Sequence, residues 1–245
     1  MFDKIPKILR SAGEVVIDLI YPPHCAICSR ATAGNEHLCA SCRKEVRLIS
    51  APFCQTCSAP FSGRIEGAFV CSNCRDRRFA FTCAVSCCKS SDVVRELVHQ
   101  FKYRDHVYLR NTLVDWLAQT LDDPRLQTPP CDRLVPVPLH AARQRERGYN
   151  QALLLAEGLA NRRGIPVANC LRRIRYTQSQ THFDRDARME NLRGAFQMRQ
   201  NSDVRHLHLL LIDDILTTGS TVDECARVLL GAGAASVRVA TVARA

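Results

Sequence analysis

The sequence of 245 residues is poor in aromatic side chains and contains no long apolar run. Phe, Trp and Tyr make up only 6% of the chain, so platforms on which nucleobases stack are scarce. No stretch reaches the roughly 18 consecutive apolar residues that a membrane-spanning helix needs, and we expect no such helix. The pattern G-x-x-x-x-G-K-[ST] is also missing, which argues against a P-loop nucleotide hydrolase.

The N-terminal segment does not have the features of an export signal. Its most apolar stretch, residues 15–21, contains Asp18 and is not followed by a cleavage site. Apolar residues recur at helical spacing through residues 1–22, which predicts a surface helix that ends at Pro22 and Pro23. Attachment of this helix to a membrane surface is the weaker alternative. We expect a cytoplasmic protein.

Fourteen cysteines in a chain without an export signal point to metal ligation rather than to disulfides. Eight of them form four C-x-x-C pairs, with ten residues between the first two pairs and thirteen between the last two. Two such pairs supply four thiolates to one tetrahedral Zn²⁺, so residues 23–80 are predicted to form a double zinc ribbon with two structural sites. Pairing in sequence order is the simplest arrangement, a cross-braced one stays open, and a redox role is the minor alternative. The predicted ligands are Cys25, Cys28, Cys39, Cys42, Cys54, Cys57, Cys71 and Cys74.

The predicted zinc ribbons are basic and too small for a sizeable apolar core, so we expect metal binding to supply their folding energy. Their cationic residues, among them Arg75, Arg77 and Arg78, suit contact with nucleic acid, although a solvated surface explains them equally well. Zinc knuckles often have glycine after the second cysteine of a pair. The residues at that place here are Ser29, Arg43, Ser58 and Arg75.

Residues 81–245 are predicted to form an α/β domain with a parallel sheet. Cys83, Cys87 and Cys88 lie in a short β-like run and are expected to be buried free thiols. The spacing of apolar residues predicts helices at 92–103 and at about 107–121, followed by a loop at 122–130. A strand is predicted at 236–242.

The stretch from His208 to Thr221 carries the strongest functional signal in this domain. Four apolar residues, 209–212, predict a strand buried on both faces, as in a parallel sheet. Asp213 and Asp214 then fall where this strand should end, and a helical pattern follows the loop. Small hydroxyl residues and one glycine make this loop a candidate phosphate cradle; they are Thr217, Thr218, Gly219, Ser220 and Thr221. An ordinary strand–loop–helix connection is the alternative.

This run resembles the signature with which type I phosphoribosyltransferases bind phosphoribosyl pyrophosphate (PRPP). The resemblance implies that Asp213 and Asp214 are catalytic-site residues that hold the ribose 2′- and 3′-hydroxyls. It also implies that the loop 217–221 holds the 5′-phosphate and that Mg²⁺ accompanies PRPP.

A second basic feature precedes this run. An apolar strand at 134–139 leads into a basic loop, and a helix begins near Asn150. In phosphoribosyltransferases the corresponding loop grips the pyrophosphate, which implies this role for Arg143, Arg145, Arg147 and the backbone of Gly148. A solvated basic turn is the alternative.

Most of the chain's net charge of +10 lies between residues 140 and 205. This concentration of positive charge favours binding of pyrophosphate or another polyanion. Within it, the arginine-rich segment 172–196 is only weakly periodic and is predicted to be a mobile hood over the sugar.

Taken together, these motifs resemble the bacterial competence-protein ComF family over nearly the whole chain. The resemblance rests on the four cysteine pairs after Pro22-Pro23, on Pro-Val-Pro-Leu (136–139) and Arg-Gly-Tyr-Asn-Gln-Ala (147–152), on Thr-Gln-Ser-Gln (177–180) and residues 188–196, and on the run 212–221. It implies a double zinc ribbon joined to a phosphoribosyltransferase-like domain. It also implies a role in natural transformation, with single-stranded DNA and DNA-uptake proteins as partners on the cytoplasmic side.

Three functions remain open on the sequence alone. The first is a DNA-uptake protein that binds PRPP or a related nucleotide. The second is an active phosphoribosyltransferase, although the sequence contains no recognisable element for the acceptor base. The third is a regulator in which PRPP changes the affinity for DNA.

Overall fold

The computed structural model describes residues 23–32, 36–65, 67–103, 106–176 and 192–245. They form two compact units that divide between Glu45 and Val46. The predicted N-terminal helix lies outside the described residues, as does the part of the predicted hood from 177 to 191. The division of the chain into 1–22, 23–80 and 81–245 stays a prediction.

The described part of the first unit contains one short helix, α1 (Ala40–Lys44). Cys39 caps it, since its Sγ accepts a hydrogen bond from the backbone N–H of Cys42. The helix therefore begins directly after one cysteine of a C-x-x-C pair and carries the other.

The second unit alternates helices and strands along the chain. In order, its elements are α2 (Ser72–Arg75), β1 (Ala84–Lys89), α3 (Asp92–Tyr103), a 3₁₀ turn (Val107–Leu109), α4 (Arg110–Thr120), α5 (Pro124–Gln127), β2 (Arg133–Pro136), α6 (Ala141–Arg147), α7 (Gln151–Arg163), β3 (Leu171–Arg173), β4 (Phe196–Met198), β5 (His208–Leu216), α8 (Ser220–Gly231) and β6 (Ser236–Arg244).

Four parallel strands form the main sheet, in the order β1–β6–β5–β2. The central strand β5 is apolar on both faces, as its sequence predicts. Leu209 and Leu211 belong to the core layer that includes α8, whereas Leu210 and Ile212 belong to the layer of α4 and α7. Strands β3 and β4 form a separate antiparallel pair. The predicted α/β fold with a parallel sheet is confirmed.

Several predicted boundaries need correction. Strand β5 does not end before Asp213, because its pairing with β6 continues to Leu216, which lies opposite Arg244. Strand β2 stops at Pro136, three residues before its predicted end. The predicted loop 122–130 contains the short helix α5, since Asp123 caps it and proline suits its first turn.

The other element predictions agree with the structure. The helix at 92–103 is confirmed, and the helix at 107–121 begins with a 3₁₀ turn. The expected burial of Cys83, Cys87 and Cys88 is also confirmed.

Candidate functional site

The eight cysteines of the C-x-x-C pairs form two clusters, paired in sequence order rather than cross-braced. In each cluster the four sulfur atoms lie within 4.8 Å of one another. Four thiol ligands with no other donor fit a closed, structural zinc site and leave no position for a reacting group. The first cluster consists of Cys25, Cys28, Cys39 and Cys42, and the second of Cys54, Cys57, Cys71 and Cys74.

Serine takes the place of glycine in the knuckles of both clusters. Ser29 and Ser58 have φ angles of 59° and 54°, in the left-handed region that glycine usually occupies. Each donates its backbone N–H to the carbonyl of the first cysteine of its pair, Cys25 or Cys54. The missing glycines therefore do not prevent the knuckle geometry.

The second cluster lies in the main core of its unit. Cys54, Cys57 and Cys74 share one apolar cluster with residues of β5 and α8. Ser58 Oγ donates to the carbonyl of Ala84, and the guanidinium of Arg125 donates to the carbonyl of Gln55. The cysteines of this half belong to the same core as the sheet, so apolar packing acts there beside metal binding, whose share of the folding energy stays a prediction.

The two aspartates of β5 lie at the wall of a cavity. Asp214 is buried, and its carboxylate accepts a hydrogen bond from Lys102 Nζ at 2.6 Å, from the end of α3. Asp213 accepts one from the backbone N–H of Asp214 at 2.9 Å. Burial, together with the neighbouring carboxylate of Asp214, raises the pKa of Asp213 to about 7 despite the positive charge of Lys102.

The predicted phosphate cradle connects β5 to α8. Gly219 has a φ of +83° and precedes the first residue of this twelve-residue helix, so the loop ends where backbone N–H groups and the helix dipole favour an anion. The hydroxyls of Thr218 and Ser220 lie 2.9 Å apart and share a hydrogen bond. A Cβ on Gly219 would lie 3.4 Å from the ring of Phe79. The loop therefore packs against Phe79, in the segment that follows the second cysteine cluster.

The predicted basic loop is a helix. Its residues Ala-Ala-Arg-Gln-Arg-Glu-Arg are strong helix formers, the ring of His140 caps them by accepting the N–H of Ala142, and the helix α6 ends at Gly148. Arg143 and Arg147 lie one turn apart and line the cavity, whereas Arg145 and Gly148 line a neighbouring recess. The structure therefore separates the four residues that the sequence groups together.

The cavity has a volume of about 310 Å³. It brings together both carboxylates, two threonines of the loop and two arginines of α6, namely Asp213, Asp214, Thr217, Thr221, Arg143 and Arg147. Acceptors for hydroxyl groups and donors for phosphates therefore meet in one space.

Sequence reasoning missed several residues of this cavity. Lys102 and Tyr103 come from α3, and Arg173 comes from β3. Burial, followed by the nearby positive charge of Arg143, lowers the pKa of the Arg173 guanidinium. No local motif marks these residues, because they reach the cavity only through the packing of elements that are distant in sequence. Asn150 also lines it, and the motif 147–152 contains this residue.

Two exposed tyrosines adjoin the two cavity arginines. The Arg147 guanidinium lies 4.3 Å from the ring centre of Tyr103 and donates to its hydroxyl, and the Arg143 guanidinium lies 5.6 Å from that of Tyr176. About half of each tyrosine remains exposed. Because aromatic residues are scarce in the sequence as a whole, the sequence does not predict that two tyrosines lie beside the cavity arginines.

Among the helices of the described residues, none is long and apolar enough to cross a membrane.

Comparisons with known proteins agree with this arrangement. A family model described as a double zinc ribbon domain matches residues 16–75, and one described as a phosphoribosyl transferase domain matches residues 150–245. The DNA utilization protein YhgH of Salmonella typhi is 32% identical over 90% of this chain and 96% of its own length. The competence protein ComFC of Bacillus subtilis is 30% identical over 86% of this chain and 85% of its own length.

Among solved structures, one described as the allosteric regulatory enzyme of purine biosynthesis is 22% identical, covering 54% of this chain and 25% of its own. Its TM-score of 0.36 is too low to carry an argument. The two family models and the full-length relatives suffice for the assignment. This chain belongs to the ComF family of competence and DNA utilization proteins, which joins a double zinc ribbon to a phosphoribosyltransferase domain.

Proposed function

We propose that this protein binds PRPP in the cavity at the end of β5 and acts in the cytoplasmic handling of single-stranded DNA during DNA uptake. The observation that carries the proposal is the meeting of a carboxylate pair, a phosphate-type loop and two arginines in one cavity. The names of the relatives, which refer to competence and DNA utilization, supply the cellular context.

In the proposed complex, the carboxylates of Asp213 and Asp214 accept hydrogen bonds from the ribose hydroxyls. The loop Thr217–Thr221 donates backbone and hydroxyl hydrogen bonds to the 5′-phosphate. Arg143 and Arg147 bind the pyrophosphate through charge-assisted hydrogen bonds, and the backbone of Gly148, which lines the neighbouring recess, assists them. Mg²⁺, when it accompanies PRPP, neutralises part of the pyrophosphate charge.

Lys102 is the ion-pair partner of Asp214 in the proposed binding site. Its ammonium neutralises Asp214 in the described arrangement and must share or leave this carboxylate when a ribose hydroxyl arrives. The ion pair therefore holds the buried carboxylate of Asp214 in a fixed position before the ligand binds.

The test of this site replaces both carboxylates with amides, as Asp213→Asn with Asp214→Asn. We expect calorimetry with Mg²⁺-PRPP to give a loss of about 100-fold in affinity, since two charge-assisted hydrogen bonds are removed. The matched control is Glu157→Gln, which replaces an exposed carboxylate on α7. This variant should bind Mg²⁺-PRPP as the wild type does. Affinity within twofold of the wild type in the double variant would refute the assignment.

An active phosphoribosyltransferase is the second candidate, and the converging cavity residues favour it equally. Its reaction would break the bond between C1′ and pyrophosphate through an oxocarbenium-like state and form a bond between C1′ and a nitrogen of the acceptor base, with the arginines stabilising the departing pyrophosphate. Adding nucleobases to the PRPP complex and measuring released pyrophosphate separates the two functions. Release of pyrophosphate indicates an enzyme. If PRPP binds saturably and none of the bases causes release of pyrophosphate, the result favours PRPP as an effector that regulates DNA affinity.

For contact with DNA, two surfaces support the proposal. The exposed rings of Tyr103 and Tyr176 lie beside cationic groups at the cavity and offer stacking faces for unpaired bases. Next to the second cysteine cluster, Arg75 and Arg78 are exposed and Arg77 is partly exposed, which suits contact with phosphates.

A further inference from the structure

A buried arginine is hydrogen-bonded to the start of the loop 217–221, which we call the phosphate loop. The guanidinium of Arg244, at the end of β6, donates to the carbonyls of Leu216 and Thr217 at 3.0 and 2.7 Å. These are the last residue of β5 and the first residue of the loop. Arg244 is only 7% exposed, the hydrogen bond to Leu216 is buried and that to Thr217 is partly buried, so together they fix the direction in which the loop leaves the sheet.

The same guanidinium also contacts the second cysteine cluster. Its other terminal nitrogen lies 3.7 Å from Cys57 Sγ, at hydrogen-bonding distance for sulfur. A zinc-bound cysteine is a thiolate, which attracts a guanidinium donor more strongly than a neutral thiol does. One side chain therefore joins a metal ligand to the start of the phosphate loop.

A second connection runs beside the first. The rings of Phe79 and Phe81 stack at 4.7 Å, and both lie near Gly219. Between them, the N–H of Ala80 donates to the buried carboxylate of Asp223 on α8 at 2.6 Å. The segment directly after the second cluster thus lies against the loop and against the helix that the loop begins.

We propose that Arg244 is a positioning residue that couples metal occupancy of the second cysteine cluster to the geometry of the phosphate loop. Metal fixes the position of Cys57 Sγ, and thereby orients the guanidinium that holds Leu216 and Thr217. Loss of this metal lets Cys57 Sγ move, so the guanidinium loses a fixed contact and the loop loosens. The proposal depends on the proposed function only for the identity of the ligand, because the order of the loop can be measured without one.

The first test is hydrogen exchange of the backbone amides of residues 217–221 in the zinc-loaded protein. We expect Arg244→Met to raise their exchange rates about tenfold or more while the metal content stays at two zinc ions per chain. Arg238→Met is the matched control, because Arg238 is an equally buried arginine on the same strand that donates to Pro129 instead. Loop exchange in Arg244→Met equal to that in the control would overturn the proposal.

The second test is decided by the unaltered protein, and the variant Arg244→Lys serves only as its comparison. Zinc is replaced by Co²⁺, whose thiolate absorption bands report on the sulfur ligands. Mg²⁺-PRPP should shift these bands in the wild type and leave them unchanged in Arg244→Lys, which keeps the charge but loses the forked donor. A wild-type protein that binds PRPP with no spectral shift would contradict the coupling.

These readouts separate the two proposals. Absence of PRPP binding by the wild type would refute the proposed function, and the exchange experiment would still decide the role of Arg244. A third comparison uses Cys57→Ser and Cys28→Ser, which weaken the second and the first cluster respectively. We expect faster loop exchange from Cys57→Ser alone, and equal exchange in the two variants would count against the proposal.

Discussion

At the scale of single residues, the surroundings of the two cavity carboxylates set the position of one and the pKa of the other. Asp214 is buried and paired with Lys102, whereas the raised pKa of Asp213 leaves this group partly protonated at neutral pH. The groups that face Asp213 are Asp214 on its own strand, Lys102 on α3, Arg173 on β3 and Cys225 on α8. Ligand binding should therefore depend on pH in the range where Asp213 loses its proton.

We expect the affinity for Mg²⁺-PRPP to rise by about tenfold between pH 6 and pH 8 and to level off above pH 8. The sign follows because the ionised Asp213 accepts stronger hydrogen bonds from the ribose hydroxyls than the protonated form does, and burial of the free site disfavours the ionised form. Calorimetry across this range measures the effect. Pyrophosphate, which has ionisable phosphates but no ribose, is the control ligand, and an equally steep rise with it would contradict the explanation.

At the scale of elements, the layer of helices behind the sheet depends on a close approach of α4 and α7. Gly158 on α7 faces Val114 on α4, and a Cβ at this position would lie 2.6 Å from Val114 Cγ2. The two helices cover the face of the sheet that carries Leu210 and Ile212. A single methyl group is therefore enough to disturb this contact.

We expect Gly158→Ala to lower the free energy of unfolding by about 1–3 kcal/mol, as overpacking in a core does. Gly231→Ala is the control, because Gly231 ends α8 with no atom within 4 Å of the added Cβ, and it should change stability by less than about 0.5 kcal/mol. Denaturant unfolding measures both. Adding Val114→Ala to the first variant should recover part of the loss, and no recovery would argue against this contact as the cause.

The sequence predicts elements well where the signal is local. The apolar run 209–212 predicts a doubly buried strand, and the cysteine spacing predicts two four-cysteine clusters, both of which are confirmed. It does not predict that the strand continues through Asp213, because this depends on pairing with β6. The sequence predicts a basic loop between the strand at 134–139 and the helix near Asn150, whereas the residues 141–147 form a helix, as their own propensities favour.

For the same reason, the sequence identifies only part of the cavity. The carboxylate pair and the loop lie within one continuous motif, so their proximity follows from the chain itself. Lys102 reaches Asp214 across 112 positions, and Arg244 reaches Cys57 across 187, so only the fold brings these partners together.

At the scale of the whole molecule, the chain combines two four-cysteine clusters, a cavity lined by carboxylates and arginines, and cationic surfaces. The second cysteine cluster shares a core with the sheet, which places Arg75, Arg77 and Arg78 in the same compact unit as the cavity. If the protein binds DNA, we expect the three arginines and the cavity to act together as parts of this one compact unit.

Reversing the charge at these three arginines, with each replaced by Glu, should weaken binding to single-stranded DNA. The slope of log affinity against log salt should fall in magnitude by about two, since each lost phosphate contact releases roughly 0.7 fewer counterions. Fluorescence anisotropy at several salt concentrations measures the slope. Glu substitution at Arg162 and Arg163 on α7 is the control, and an unchanged slope in the triple variant would place the phosphate contacts elsewhere.

The most direct test of the account is calorimetric titration of the zinc-loaded protein with Mg²⁺-PRPP, compared with ribose 5-phosphate and with pyrophosphate. We predict one site per chain and tighter binding of PRPP than of either part, because the carboxylates, the loop and the arginines each hold a different group of the same molecule. Absence of saturable PRPP binding, or equal affinity for all three ligands, would contradict the assignment of the cavity.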